Sequence, residues 1–399
     1  MSYNFDQIID RQQTNNEKWD QRTKIFGTAD LLPLWVADMD FAVPPCVTTA
    51  LAERIQHPIY GYTFPPPQFY QALSDWLAAR HQWTIEQEWT VVTPGVVPAL
   101  ALSVLAFTQP GEGVIIQPPV YGPFFRVVEK NQRRLVLNPL KEENGRYLMD
   151  FDHLETVVDP GVKMMILCSP HNPGGRVWTR EELERLGEFC QRHGLILVSD
   201  EIHADLVYPN YKHTPIAALN PELAHNTITC FAPSKTFNLP GLTTAVALIP
   251  DPEKRRRFKQ VQSALGMQIY NTLGLTAFTA AYQGGAAWLD ALIRYLQGNL
   301  DFLMAFFAER IPAIKPMPPE GTYLVWLDCR RLPLTPEELK AFFIHEAKVG
   351  LNDGRSYGPG GEGFHRINIA CPRPLLTEAL HRIERAVGKL PLAKDASAR

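Results

Sequence analysis

Between residues 90 and 250, short apolar runs rich in β-branched side chains alternate with polar turns rich in Gly and Pro. The runs fall at 90–92, 113–117 (GVIIQ), 135–137, 163–168 (KMMILC), 195–199 (LILVS), 227–231 (TITCF) and 244–249 (TAVALI). They are continuous rather than alternating, the pattern of strands covered on both faces. Helical patterns lie between several of them. The clearest covers 179–193, where Leu183 and Leu186 share a face with Phe189 and Cys190. Thr179 can cap that helix, Glu181, Glu182 and Glu184 suit its positive end, and Gly194 closes it. Strands alternating with helices predict an α/β fold with a mostly parallel sheet between helices.

The uncharged stretch 89–111 is long enough for a membrane span. Pro94, Gly95, Pro98 and Pro110 interrupt it, so it reads as a strand, a turn at 93–95 and a helix buried on all sides. After about residue 285 the pattern changes. Long helical patterns over 288–310 and 336–348 flank short strands at 323–327 and 365–369, which predicts a smaller α+β domain. The expected organisation is a segment 1–45 packing on the small domain or on a partner subunit, a large domain 46–285, a small domain 286–390 and a tail 391–399.

Composition narrows the function classes. Lys and Arg total 39 against 42 Asp and Glu, a net charge of −3. No global basic field is available for nucleic acid or an anionic membrane, and neither is expected as a partner. Hydrophobic residues at 45% and charged residues at 20% describe a globular chain and exclude disorder. The six cysteines are far apart with no Cys-x-x-Cys pair, which predicts no metal site and a reducing compartment. The N-terminus is polar, with no apolar core of a signal peptide, and a cytoplasmic protein is expected. The 34 prolines exceed the usual share of about 5% and are spread along the chain; Pro94, Pro118, Pro119, Pro170, Pro173, Pro233 and Pro240 fall in turns after strands, which they stiffen.

Those turns carry the candidate chemistry, because ligands of open α/β sheets gather outside the carboxyl ends of strands. Tyr121 follows the run at 113–117, Asn172 follows 163–168, Asp200 and His203 follow 195–199, and Ser234 and Lys235 follow 227–231. Each has a plainer reading by itself: Asp200 as a helix cap, Asn172 before proline as a turn opener, Tyr121 as core. Together they meet the needs of pyridoxal phosphate. A lysine bonds the aldehyde, a buried carboxylate keeps the pyridine nitrogen protonated, an amide bonds the phenolic oxygen and an aromatic face stacks on the ring. The helix N-terminus at Gly95-Val96-Val97 suits the phosphate.

On these segments the chain resembles the MalY/PatB type of pyridoxal-phosphate-dependent C–S lyases (cystathionine β-lyases), within the aspartate-aminotransferase superfamily of fold type I. The resemblance is carried by PLWVADMDF (33–41), GYT (61–63), TPGVVPAL (93–100), PPVYGPF (118–124), SPHNPGGRVW (169–178), SDEIHADL (199–206), APSKTFNLPGL (232–242) and RINIACPR (366–373). The lysine, Asn-Pro-Gly and Asp-Glu-Ile segments are shared across the superfamily, whereas ADMDF and SDEIH point to the lyase branch.

The resemblance implies a role for each position. Lys235 is the Schiff-base lysine and then the acid/base at the substrate α-carbon. Asp200 pairs with the ring nitrogen and Tyr121 stacks on the ring. Asn172 bonds the phenolic oxygen, near which His203 replaces the tyrosine usual in aminotransferases. The amides of Val96 and Val97 and the Ser234 hydroxyl hold the phosphate, joined by Tyr62 from the other subunit of a homodimer; Tyr60 stands beside it as an alternative. Arg366 clamps the substrate carboxylate, with Arg373 as its competitor. Many superfamily members carry a phosphate-binding arginine eight residues after the lysine, and this chain has Thr243 there, which leans away from an aminotransferase. Asp38 and Asp40 belong to the resemblance but receive no chemical role.

The expected function is cleavage of cystathionine or related cysteine S-conjugates to pyruvate, ammonia and a thiol, by α-proton abstraction and β-elimination. An aminotransferase of an aromatic or sulfur amino acid would use the same contacts. A protein of this fold with a mainly regulatory, protein-binding role is the third possibility.

Overall fold

A computed structural model describes residues 3–391 of the chain; beyond its first residue, the expected tail at 391–399 lies outside them. A seven-stranded sheet forms the larger unit, in the order Thr90–Thr93, Ala245–Leu248, Thr227–Phe231, Ile196–Asp200, Val162–Cys168, Gly113–Ile116, Arg134–Leu137. All run parallel except Ala245–Leu248, which is antiparallel to both neighbours. The central strands are buried along their length, which is why their sequences read as unbroken apolar runs. Helix Val96–Phe107 is buried around most of its circumference and packs on one face of this sheet.

Strand boundaries fall within two residues of the pattern-based ones. One shift matters for chemistry: the fifth strand of the chain order ends on Asp200, so that carboxylate emerges at the sheet's carboxyl rim. Helix Arg180–Arg192 begins with a reciprocal capping box between Thr179 and Glu182, which satisfies two otherwise orphaned amides.

The second unit is a four-stranded antiparallel sheet, ordered Lys315–Pro316, Leu324–Asp328, Phe364–Asn368, Asn352–Asp353. Helices Ala286–Arg310 and Arg373–Val387 cover it. Arg366 sits on a central strand, opposite Trp326 on one side and Asn352 on the other. The helical pattern expected over 336–348 is an α-helix only at Pro336–Ala341 and widens to a π turn at Phe342–Glu346. Phe342, Phe343 and Ile344 are buried in succession there, a broader apolar face than the stripe of a one-sided α-helix.

The N-terminal segment lies along this second unit. Leu32–Pro33 pairs in parallel with Val349–Gly350, and the Phe5 ring packs on Phe41, Trp288 and Tyr295. A hairpin joining Lys141–Glu143 to Arg146–Leu148 was not anticipated. Its turn, Asn144-Gly145, has φ of 52° and 76°, the positive pair that Asn-Gly supplies in two-residue hairpins. Among the described residues no helix is long and apolar enough to cross a membrane.

Candidate active site

A cavity of about 230 Å³ opens at the carboxyl ends of the parallel strands. One wall is the start of helix Val96–Phe107. Gly95 enters it in extended conformation and no side chain caps it. Pro98 has no N–H, and the Ala99 amide is taken by the Gly95 carbonyl at 3.1 Å. The Val96 and Val97 amides have no acceptor within the helix and face the anion-favouring end of its dipole. Ser234 and Thr243 line the same cavity. Thr243 adopts a left-handed backbone at φ 43°, and its Oγ1 accepts from Asn271 Nδ2 at 3.3 Å.

The opposite wall holds the titratable groups. Asp200 is buried and its Oδ1 accepts from the Ile202 amide at 3.2 Å. Burial pushes its carboxyl up to about 7, although the Ile202 amide and the Lys235 charge act the other way. Lys235 is half-buried, and its Nζ donates to the Ala37 carbonyl at 2.6 Å. Enclosure by the protein lowers its amine to about 8; Asp38 and Asp200 oppose that shift while Arg366 adds to it. His203 is buried, with Nδ1 lacking any partner among the described residues. Burial, then Lys235 and Arg366, hold its imidazole neutral. Tyr121 is half-buried on the cavity wall, with its phenol raised first by burial.

Asn172 is buried on the wall and its Oδ1 accepts from Arg366 Nη1 at 2.9 Å. Arg366 does not itself line the cavity but stands behind Asn172. Its Nη2 donates to the Trp35 carbonyl at 2.7 Å and to Asn352 Oδ1 at 3.3 Å, and its Nε has no partner among the described residues. A guanidinium has five N–H groups, so one on Nη1 and the one on Nε have no partner among the described residues. Arg373 is elsewhere, bonded through Nε to Asn299 and lying over Phe302.

The structure thus brings together Val96, Val97, Tyr121, Asn172, Asp200, His203, Ser234 and Lys235, with Arg366 one contact away. Tyr62 is not brought in: it is 97% exposed. Residue-by-residue reading passed over Ala37, whose carbonyl meets Lys235; the signal for it lay in the stretch 33–41.

These residues fit pyridoxal phosphate on their own chemistry. An uncapped helix start offers two amides to a phosphate, and a buried carboxylate touched by no cation suits a protonated ring nitrogen. His203 lines the cavity with an Nδ1 that has no partner among the described residues, and a lysine near neutrality is competent as a nucleophile.

Comparison with known proteins agrees. Residues 29–383 match the family model for aminotransferases of class I and II. The chain is 46% identical over 385 residues to the cystathionine β-lyase PatB of Bacillus subtilis, covering 96% of this chain and 100% of that protein. To the protein MalY of Escherichia coli it is 36% identical over 388 residues, covering 96% and 99%. The solved structure of cystalysin from Treponema denticola, which contains pyridoxal 5'-phosphate, is similar at a TM-score of 0.95 and 38% identity, covering 97% of this chain and 99% of that one.

Proposed function

The chain belongs to the class I and II aminotransferase family, and from that premise we propose a pyridoxal-phosphate-dependent carbon–sulfur β-lyase. Its substrate is cystathionine or a related cysteine S-conjugate, and its products are pyruvate, ammonia and a thiol. One observation carries the proposal: a single cavity is lined by the Lys235 amine, the buried Asp200 carboxyl, Asn172, Tyr121 and the open amides of Val96 and Val97. Thr243, where many aminotransferases carry an arginine, and the cystathionine β-lyase among its relatives favour elimination over transamination.

Lys235, Asp200, Asn172, His203 and Tyr121 would hold the cofactor ring, and Val96, Val97 and Ser234 its phosphate. Bound there, pyridoxal phosphate supplies an electron sink for negative charge at the α-carbon of an amino acid. Asp200, buried on the cavity wall, would set its carboxylate against the ring nitrogen. Lys235 Nζ, its amine made easier to deprotonate by burial, takes the α-proton. The β-carbon–sulfur bond breaks with its electron pair on sulfur, and the new Lys235 ammonium is placed to return a proton to the departing thiolate. Hydrolysis of the remaining three-carbon fragment releases pyruvate and ammonia. Arg366, oriented by Trp35, Asn352 and Asn172, holds the substrate carboxylate with its free N–H groups.

The same proposal includes a large cofactor domain at 46–285, a small domain at 286–390 and an N-terminal segment at 1–45 along the latter. It also includes a homodimer. Ile59, Tyr60, Tyr62 and Phe64 form a contiguous exposed apolar segment of the kind that marks interfaces, and Tyr62 would reach the partner's phosphate site from it. The six unbonded cysteines favour the cytoplasm. Pyruvate release from cystathionine without a keto-acid acceptor tests the activity.

A further inference from the structure

The stretch 35–41 crosses between the two units, and side chains hold its carbonyls from both. Trp35 accepts from Arg366 Nη2 at 2.7 Å. Val36 and Asp38 accept from Asn368 Nδ2 at 2.7 and 2.6 Å. Ala37 accepts from Lys235 Nζ at 2.6 Å and from the Tyr323 hydroxyl at 2.9 Å. Met39 and Phe41 accept from Asn238 Nδ2 at 2.9 and 3.0 Å. Asn238 lies three residues beyond Lys235, and Asn368 two beyond Arg366.

The side chains of the stretch end in a compact ion cluster. Arg11 reaches Asp38 through Nη1 and Nη2 at 3.0 and 2.6 Å, and Asp40 through Nη1 at 2.7 Å. Lys18 is fully buried, with Nζ 2.6 Å from Asp40 Oδ2 and 3.6 Å from Asp38 Oδ1. Trp19 Nε1 donates to Asp40 Oδ1 at 3.1 Å. Two cations cancel two carboxylates beside a carbonyl that touches the proposed base. Four buried or half-buried charges are an expensive way to pin a loop that Asn238 and Asn368 already hold.

We propose that Arg11, Lys18, Asp38 and Asp40 are positioning residues for Lys235, setting both the place of its Ala37 acceptor and the net charge its nitrogen faces. This rests on Lys235 carrying the cofactor. The other groups acting on that nitrogen are Asp200 at a strand end, Arg366 on the small sheet, Glu17 on the short helix Glu17–Asp20 and the uncharged His203; Tyr323 shares its Ala37 acceptor and Tyr121 lines the same cavity. Asp38 is the largest anionic contribution among them.

The inference gives shifts of opposite sign, which a merely structural role does not. The readout is the pH midpoint of the visible absorption of the cofactor-loaded protein, which reports the proton on the Lys235 nitrogen. Asp38→Asn leaves two cations against one carboxylate and lowers the midpoint by on the order of 0.5–1 pH unit. Arg11→Gln leaves two carboxylates against one cation and raises it by a similar amount; Lys18→Gln is the second upward variant should Arg11→Gln not fold. Arg11→Lys retains the charge but not the fork to Asp38 and Asp40, so it moves the midpoint less than Arg11→Gln. Shifts in the same direction, or no shift in any variant, overturn the inference. Lys235→Ala separates the two levels: a covalent cofactor adduct still trapped by borohydride reduction in that variant removes the cofactor assignment itself, whereas a lost adduct with unmoved midpoints elsewhere removes the cluster's role alone.

Discussion

Arg366 donates from Nη1 to Asn172 Oδ1 at 2.9 Å, tying the central strand of the small sheet to the turn after Val162–Cys168 in the large one. The proposed carboxylate clamp and the proposed cofactor donor therefore orient one another. Changing one disturbs both, and the disturbance separates by kinetic parameter.

Arg366→Lys keeps the charge but loses the planar fork that reaches Trp35, Asn352 and Asn172 together. The expected result is a KM for the amino acid raised about 10–100-fold with a smaller fall in kcat. Steady-state kinetics at constant cofactor saturation measure it, and Arg373→Lys, away from the cavity, should leave KM unchanged.

Lys235→Ala removes the base. Turnover should fall by about 10³-fold or more, and the covalent cofactor adduct trapped by borohydride reduction should no longer form. Mass spectrometry of the reduced variant with added pyridoxal phosphate checks the second point.

Activity should also rise with pH as the Lys235 amine gives up its proton. The free amine is lowered to about 8, so a limb that rises with pH on the alkaline side of neutrality is expected, since only the neutral amine takes the α-proton. A profile of kcat against pH that falls through this range contradicts the role.

Asp200 allows a stability test with the sign worked through. Its folded value of about 7 lies above the ordinary 3.8, so between these values the folded chain keeps a proton that the unfolded chain has lost. Cofactor-free protein therefore loses stability as pH climbs through that window, and the penalty stays in full above it. Asp200→Asn can keep the Ile202 contact without the charge. It should stabilise the cofactor-free protein at pH 8 by about 1–3 kcal/mol and have little effect near pH 4, while weakening cofactor binding. Thermal unfolding at the two pH values, with and without pyridoxal phosphate, checks all three.

If the exposed segment around Tyr62 is the subunit contact, Ile59→Asp with Phe64→Asp should halve the mass seen by sedimentation. Tyr62→Ala should keep the dimer and lower cofactor affinity about tenfold, on the order of one lost hydrogen bond to a charged group.

Much of the large sheet was legible because its strands are buried on both faces. That burial makes each a continuous apolar run, and the turn after each run marks the rim where Tyr121, Asn172, Asp200 and Lys235 meet. The stretch 35–41 was not legible in the same way. Its conformation depends on Asn238, Asn368 and Lys235, each about 200 or more positions distant, and no local period records such contacts. The Asn144-Gly145 hairpin is different: its turn signal was present, but the exposed strands beside it lack an apolar pattern. Asp38 and Asp40 stood out as a motif, yet their partners Arg11 and Lys18 lie in a polar segment with nothing to mark them as buried.

The most direct measurement is product analysis with cystathionine and the purified, cofactor-loaded protein, with and without a keto-acid acceptor. Equal yields of pyruvate and thiol without acceptor are expected, and adding acceptor should not raise turnover. Product that forms only when the acceptor is present, with no thiol released, contradicts the lyase and makes the protein an aminotransferase.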